Sequence, residues 1–238
     1  MAKIPVSIGP RLFPTKDAAK EHYRAILYRH LIGRRIPEPD ATELAWLLER
    51  HPEVDQKIGA GIDYLSVRDA LYGKRCFEVV RIDGTSTDFS FGSCVDGRAP
   101  SPLTEALNAL RAEVTEDILR SKREWFRKHG DDQGKVACAI SGKRVTIEEA
   151  HADHAPPRLF GTLAIAFLTA HGIKPGPELI TPPADNQYQP LLADRALAER
   201  WRQYHHELAV IRIVARGENL TRGHEGKVKK KDQHLRMK

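Results

Sequence analysis

The sequence predicts a mixed α+β protein of two domains, and three observations carry that expectation. The first hundred residues hold helical periodicities followed by short strand-like runs. One unbroken helical periodicity then extends from Pro102 to Gly130, and a second strand-and-helix region follows the break at residues 130–134. The expected layout is a small α+β domain over residues 1–100, a connecting helix over 101–134, a second domain over 135–225 and a basic tail over 226–238. Domains of roughly 100–150 residues are the commonest size, which suits two units in a chain of 238 residues.

Each element has a local reason. Ala19, Tyr23, Ile26 and Leu27 recur at helical spacing between Pro14 and His30, with Thr15 as candidate cap. A second helix is expected to start at Asp40, placed as N-cap after Pro39, to run through Leu44, Leu47 and Leu48, and to break at His51-Pro52. Three extended runs follow, Ile62 to Val67, Cys76 to Ile82 and Asp88 to Val95, with Asp83-Gly84 as the hairpin turn between the last two. Leu103, Leu107, Leu110, Val114, Ile118 and Trp125 then mark one face of a long amphipathic helix. Its closing turns carry Arg120, Lys122, Arg123, Arg127 and Lys128, which favour the negative end of the helix dipole. Beyond the break, two short runs turn at Ser141-Gly142-Lys143. Helices are expected near Pro157–His171 and Leu192–Glu207, and an apolar strand over Leu208–Val214 precedes a short polar helix from Gly217.

Composition narrows the function classes. Charged residues at 29% and hydrophobic residues at 41% fit a packed globular protein rather than a disordered one. No stretch approaches the ~18–20 apolar residues of a membrane span, and the start Met1-Ala2-Lys3-Ile4-Pro5 has no apolar secretory core, so a cytoplasmic protein with no membrane partner is expected. Three widely spaced cysteines, Cys76, Cys94 and Cys138, read as reduced thiols. Much of the net charge of +6 sits between Arg222 and Lys238, where seven basic residues face two acidic ones. Lys227, Lys229, Lys230 and Lys231 are there the candidate phosphate contacts of a flexible arm, against the plain alternative of a solvated tail.

Five stretches in order carry a resemblance over residues 12–95: Leu12-Phe13-Pro14-Thr15-Lys16, Leu47-Leu48-Glu49-Arg50-His51-Pro52, Lys57-Ile58-Gly59-Ala60-Gly61-Ile62, Arg75-Cys76-Phe77 and Asp88-Phe89-Ser90-Phe91. Together they resemble the DCL domain (from "defective chloroplasts and leaves"), also found at the end of the largest subunits of plant-specific RNA polymerases. The resemblance implies a positioning or recognition module associated with RNA-related processes. By its own chemistry His51 reads as a capping or packing residue. Lys57 beside Gly59 and Gly61 reads as a tight turn or as a place where backbone approaches a phosphate.

A second constellation follows: Cys138-Ala-Ile-Ser-Gly142, His151-Ala-Asp153-His154-Ala-Pro156-Pro157, His206-Glu-Leu-Ala209-Val-Ile211-Arg212, and Glu218-Asn219. It resembles the HNH, or ββα-metal, endonucleases over residues 136–225. The resemblance implies a ββα-metal fold with a helical insertion, in which Asp153 is a metal ligand, His154 the general base and Asn219 the second ligand. It offers His206 as an orienting or ligating residue, with His205 competing for that role. Arg222 is a candidate for the scissile phosphate, and His224 is a further metal ligand or a solvent-facing residue. The chemistry agrees with these roles. Carboxylate and amide oxygens suit a hard cation, Mg²⁺ first and Mn²⁺ second, and a neutral imidazole near its usual pKa of about 6.5 accepts a proton at cellular pH.

Two conditions follow from geometry and from departures. Neighbouring strand residues point to opposite faces, so Asp153 and His154 share a site only where the strand is irregular, whereas His151 and Asp153 share a face on a regular one. The positions that hold structural zinc in many HNH proteins read Cys138, Ser141, Ala215 and Glu218, and one cysteine of four does not hold that zinc. Leu159, Phe160, Leu163 and Phe167 are then the candidates to support the site by packing. The expectation is thus a metal-dependent endonuclease acting on duplex DNA, with RNA as the other substrate. The alternative is a non-catalytic nucleic-acid-binding protein or an RNA-processing factor led by the first domain.

Overall fold

The computed structural model describes residues 5–182, 184–187 and 189–221, with side chains described through Glu218. The fold is mixed α+β, with small antiparallel sheets and eight α-helices among the described residues. The chain divides into two compact units. The first ends at Ser101 and takes in a short segment beginning at Pro182. The second starts at Pro102, gives way after Thr181 and resumes at Gln189.

The first unit opens with a hairpin, β1 (Val6–Ile8) against β2 (Arg11–Phe13). Helix α1 (Lys16–Arg29) follows, and the Thr15 hydroxyl accepts from Ala18 N at 3.0 Å, the cap expected from the sequence. Helix α2 (Asp40–Leu48) starts differently. Asp40 lies inside the helix, where its carboxylate meets His30 Nε2 at 2.7 Å, and the capping oxygen is Glu38 Oε2, which accepts from Thr42 N at 3.1 Å and Thr42 Oγ1 at 2.6 Å. A longer side chain from two residues earlier reaches the free amide, so Asp40 is released to anchor α1.

A single-turn helix α3 (Val54–Ile58) leads into the meander β3 (Ile62–Asp69), β4 (Arg75–Arg81) and β5 (Ser86–Phe89). Gly84 makes the β4–β5 turn, where Thr85 N donates to Asp83 Oδ1. The expected third strand over Asp88–Val95 stops at Phe89, because the Ser90 hydroxyl caps a short helix α4 (Phe91–Asp96) that buries Cys94 and Val95. Leu65, Val67, Phe77, Val79 and Phe89 on one sheet face, with Tyr23, Ile26, Leu44 and Leu47 from the helices, form one apolar core.

The second unit is built on α5 (Pro102–His129). Its buried stripe is Ala106, Ala109, Leu110, Glu113, Val114 and Phe126, so Trp125, expected on that face, is instead 49% exposed and Phe126 takes its place one step around the helix. The strands β6 (Val136–Ala137) and β7 (Arg144–Val145) pair across a turn at Gly142. Strand β8 (Ala150–His154), α6 (Phe160–Ala170), α7 (Arg195–Leu208), β9 (Ile211–Ala215) and α8 (Arg216–Thr221) complete it. Helices α5, α6 and α7 close over Phe160, Leu163, Phe167 and Trp201, and Trp201 Nε1 donates to Leu110 O at 2.7 Å. Buried Glu113 ties α5 to α7 by accepting from Arg195 Nη2 at 2.9 Å and Arg202 Nη1 at 2.7 Å. No helix among the described residues is long and apolar enough to cross a membrane.

Candidate functional site

The candidate residues gather on β8, β9 and the helices around them. Strand β8 pairs antiparallel with β9 in an unbroken register, from Ala150 opposite Ala215 to His154 opposite Ile211. Alternation then fixes the faces. Ala150, Ala152 and His154 lie on one side. Ala150 there joins Phe126, Val136, Val145 and Ile213 in a small second core. His151 and Asp153 lie on the other side, with Val214 and Arg212 as their cross-strand neighbours. The strand is regular through His154 and turns only afterwards, where Ala155 N donates to Val210 O and Arg158 N to Ala155 O. Asp153 and His154 therefore diverge, and the irregularity that would join them at one site lies beyond both.

Each of the two has a partner. Asp153 Oδ2 accepts from Arg212 Nε at 3.0 Å and Nη2 at 2.8 Å across the β-ladder. His154 is 6% exposed, and its Nε2 meets His205 Nε2 at 2.9 Å. The edges of Phe160 and Trp201 surround these two rings at centroid distances of 5.5 Å. Burial pushes both imidazoles down to about 4, with the neighbouring His205 and Arg111 adding to the effect at His154, and Asp117 opposing it at His205. Both rings are therefore neutral at cellular pH, one nitrogen of the pair donating and the other accepting. The His151 imidazole is also held below its usual value, by burial first and then by the charges of Arg216 and Lys122.

The histidine that meets His154 is thus His205, and His206 points to solvent. Helix periodicity is the reason. Leu197, Trp201 and His205 follow one another at i, i+4 along the buried stripe of α7, and His206 lies 100° further round. That stripe is a signal the sequence offers, since a tryptophan four residues before one of two adjacent histidines picks the inward one. The role of Arg212 as the partner of Asp153 has no such signal, because it needs the β8–β9 register.

Cys138, Ser141, Ala215 and Glu218 lie close together. Cys138 Sγ accepts from Ala215 N at 3.2 Å and donates to Glu218 Oε2 at 3.4 Å. Burial alone would raise this thiol, but hydrogen bonds from Ser141, Ala215 and Ile140 outweigh it and leave the thiol below its usual value. One sulfur, a hydroxyl, a backbone amide and a carboxylate do not make the tetrahedral thiolate and imidazole set of a structural zinc. Among the described residues no group of three His, Cys, Asp or Glu side chains is arranged to hold a metal. Asn219 belongs to α8 by its backbone, while its side chain lies outside the description. Arg222, His224, Lys227, Lys229, Lys230 and Lys231 lie outside the described residues.

In the first unit, one of the glycines beside Lys57, Gly59, makes room for an arginine. Arg81, 5% exposed, runs past Gly59, whose φ of +54° suits glycine and where an added Cβ would lie 2.8 Å from Arg81 Nε. Its guanidinium donates to Lys57 O at 3.1 Å, Gln56 O at 2.9 Å and Thr85 Oγ1 at 3.0 Å. Two further bonds reach the carboxylate of Asp185, at 2.8 and 2.9 Å. His51, by contrast, receives Glu53 N on Nδ1 at 3.1 Å, and burial followed by the charge of Lys57 lowers it to about 4. It packs and caps, as its sequence context implies.

These features place the first unit in a class of small α+β domains without an assigned activity, and a family model makes that specific. Residues 24–95 match the family described as "Protein of unknown function (DUF3223)", so the chain carries an N-terminal DUF3223/DCL-like domain. Relatives share this region. Protein DCL, chloroplastic, of Solanum lycopersicum is 42% identical over 79 residues, covering 31% of this chain and 35% of that protein. DNA-directed RNA polymerase IV subunit 1 of Arabidopsis thaliana is 36% identical over 113 residues, covering 46% of this chain and 8% of that subunit. A solved structure, the solution NMR structure of an uncharacterized protein from Rhodospirillum rubrum, is 36% identical with a TM-score of 0.37, covering 40% of this chain and 91% of that one. The chain thus spans 35% or less of the length of these two curated relatives.

Proposed function

We propose that the second unit is a metal-dependent HNH-type endonuclease domain acting on duplex DNA, with the DCL-like domain as its recognition module. The observation that carries this reading is the unit β8–β9–α8: two antiparallel strands and a helix that packs on both. Asp153-His154 closes its first strand, and Asn219 lies on its helix. Convergence of Cys138, Ala215 and Glu218 at the positions of the family's zinc knuckle supports the same layout.

In this reading Asp153 and Asn219 would hold Mg²⁺ or Mn²⁺. Both Arg212 bonds fall on Oδ2 of Asp153, so Oδ1 is the oxygen that would face a cation. The cation supplies relief of charge on the phosphate and the leaving oxygen when bound. His154 accepts the proton of the attacking water. In the tautomer whose Nε2–H donates to His205, Nδ1 is the basic nitrogen, and His205 is a positioning residue for the ring. A proton acceptor of this kind contributes about 10²–10⁴-fold in rate.

The test is a cleavage panel over plasmid, linear and single-stranded DNA and RNA with Mg²⁺ or Mn²⁺. Wild type is expected to nick or cut DNA, His154→Ala to lose at least about 10²-fold with its fold intact, and His206→Ala to cut as wild type does. Absence of metal-dependent cleavage of every DNA and RNA form would sink the reading.

A second reading is favoured by one observation, the divergence of Asp153 and His154 across a regular strand with each already partnered. It is a nucleic-acid-binding protein that keeps the ββα scaffold without catalysis, or an RNA-processing factor led by the DCL-like domain. Nucleic-acid binding that is unchanged by chelator and by Asp153→Asn, without cleavage, would establish it.

A further inference from the structure

Arg81 carries more order than the core around it requires. Three oxygens, from Gln56, Lys57 and Thr85, already hold the guanidinium in place, and the two remaining bonds run outward to a carboxylate 104 residues away. That carboxylate meets a small constellation. Asp185 also bonds Thr87, which is fully buried, and Lys57 Nζ lies 3.4 Å from the Thr87 hydroxyl, so a guanidinium, an ammonium and a hydroxyl converge on one anion. The Asp185 side chain itself remains 39% exposed while Arg81 is buried, which is the asymmetry of a ligand seated on a pocket rather than of a core ion pair.

The occupant has a defined shape. Gln187 N donates to Ala184 O, and Asn186 takes the left-handed conformation with φ of 63°. Asn186 also donates from Nδ2 to Ser86 O at 3.4 Å and accepts from Arg68 Nη1. Carboxylate and amide of an Asp-Asn turn are thus each read by a separate part of the β3–β5 sheet. The segment bearing them is a short piece of chain that belongs to the first unit while the residues on either side belong to the second.

We propose that Arg81, Lys57 and Thr87, with Arg68 and Ser86 O beside them, form a peptide-recognition site of the DCL-like domain, that its ligand is an acidic Asp-Asn turn, and that Asp185-Asn186 is the in-chain occupant. A partner protein presenting the same turn competes with the in-chain one. Bidentate guanidinium–carboxylate geometry gives the site its preference for a planar carboxylate, and the neighbouring amide contacts distinguish a peptide turn from a free anion. In-chain occupancy acts as a high local concentration of ligand, in the millimolar range for short connections, so a competitor must overcome it.

The experiment uses the full chain and a fluorescein-labelled peptide with the sequence of residues 179–191. The variant Asp185→Ala/Asn186→Ala, with the site emptied, is expected to bind the peptide at least about tenfold more tightly than wild type does. Replacing the peptide's aspartate by alanine is expected to weaken binding by about tenfold or more, the loss of a charge-assisted pair. Lys57→Ala in the emptied chain is expected to weaken binding several-fold; this change at a half-buried side chain, which leaves the backbone acceptor of Arg81 in place, keeps the test decisive should an Arg81 variant not fold. The proposal is overturned if the emptied chain does not bind the peptide, if the alanine peptide binds equally well, or if inorganic phosphate binds the emptied chain and the peptide does not.

Discussion

Arg81 in the first unit and His154 in the second are both buried polar side chains held by a distant partner, at separations of 104 and 51 residues. One is buried as a charge and the other as a neutral ring. A guanidinium does not shed its proton in proteins, so its burial demands an anion and a full set of acceptors, which Asp185, Gln56, Lys57 and Thr85 supply. An imidazole can shed its proton, and one hydrogen bond to a second imidazole then suffices. The first solution holds at any ordinary pH. The second gives up that independence, because its cost is set by protons in solution.

The largest expected effect tests that difference directly. An imidazole that protonates near 6.5 when unfolded but only near 4 when folded binds more protons in the unfolded chain between those values. Stability is therefore full above pH 6.5 and falls as the pH drops toward 4. For the two rings together the loss from pH 7 to pH 5 is on the order of 2–4 kcal/mol. Urea denaturation across that range is expected to show it, and His154→Leu/His205→Leu is expected to flatten the slope. An unchanged slope in the double variant would mean the pair is not buried neutral.

A smaller effect is expected from the charged side of the comparison. Arg81→Met leaves Asp185 half in water, where it hydrates, so the loss is that of the buried hydrogen bonds, about 2 kcal/mol, and it should be the same at pH 5 and pH 7. Gly59→Ala pushes a methyl group against Arg81 and forces a positive φ on a residue with a Cβ. It should cost about 1–2 kcal/mol in the same denaturation series. Glu38→Ala removes only the cap of α2, about 0.5–1 kcal/mol, and serves as the reference for a change remote from either pair.

Elements with long periodicity were legible in the sequence. Helix α5 repeats its apolar spacing over many turns, and its expected limits, Pro102 to Gly130, differ from the observed Pro102–His129 by a residue. Several elements of three to six residues were not: β1, β2, α3 and α4 are too short for a period to show, and their existence rests on partners elsewhere, such as the Ser90 cap of α4. The site divides in the same way. No periodicity marks β8, which carries Asp153 and His154, and which histidine would meet His154 depended on a 100° rotation about α7 that the spacing from Trp201 signals and the adjacency of His205 and His206 does not. Arg81 drew no notice because its meaning lies in Asp185, and no local pattern links the two.

That separation also orders events in time. Asp185 is synthesised 104 residues after Arg81, which at roughly 5–20 residues per second is a delay of roughly 5–20 s. Gln56 and Lys57, whose backbone oxygens accept from the guanidinium, precede Arg81 in the chain, whereas its carboxylate is made last. The cation of this pair is thus made well before the anion that neutralises it, and the pair forms only after residue 185 has been added.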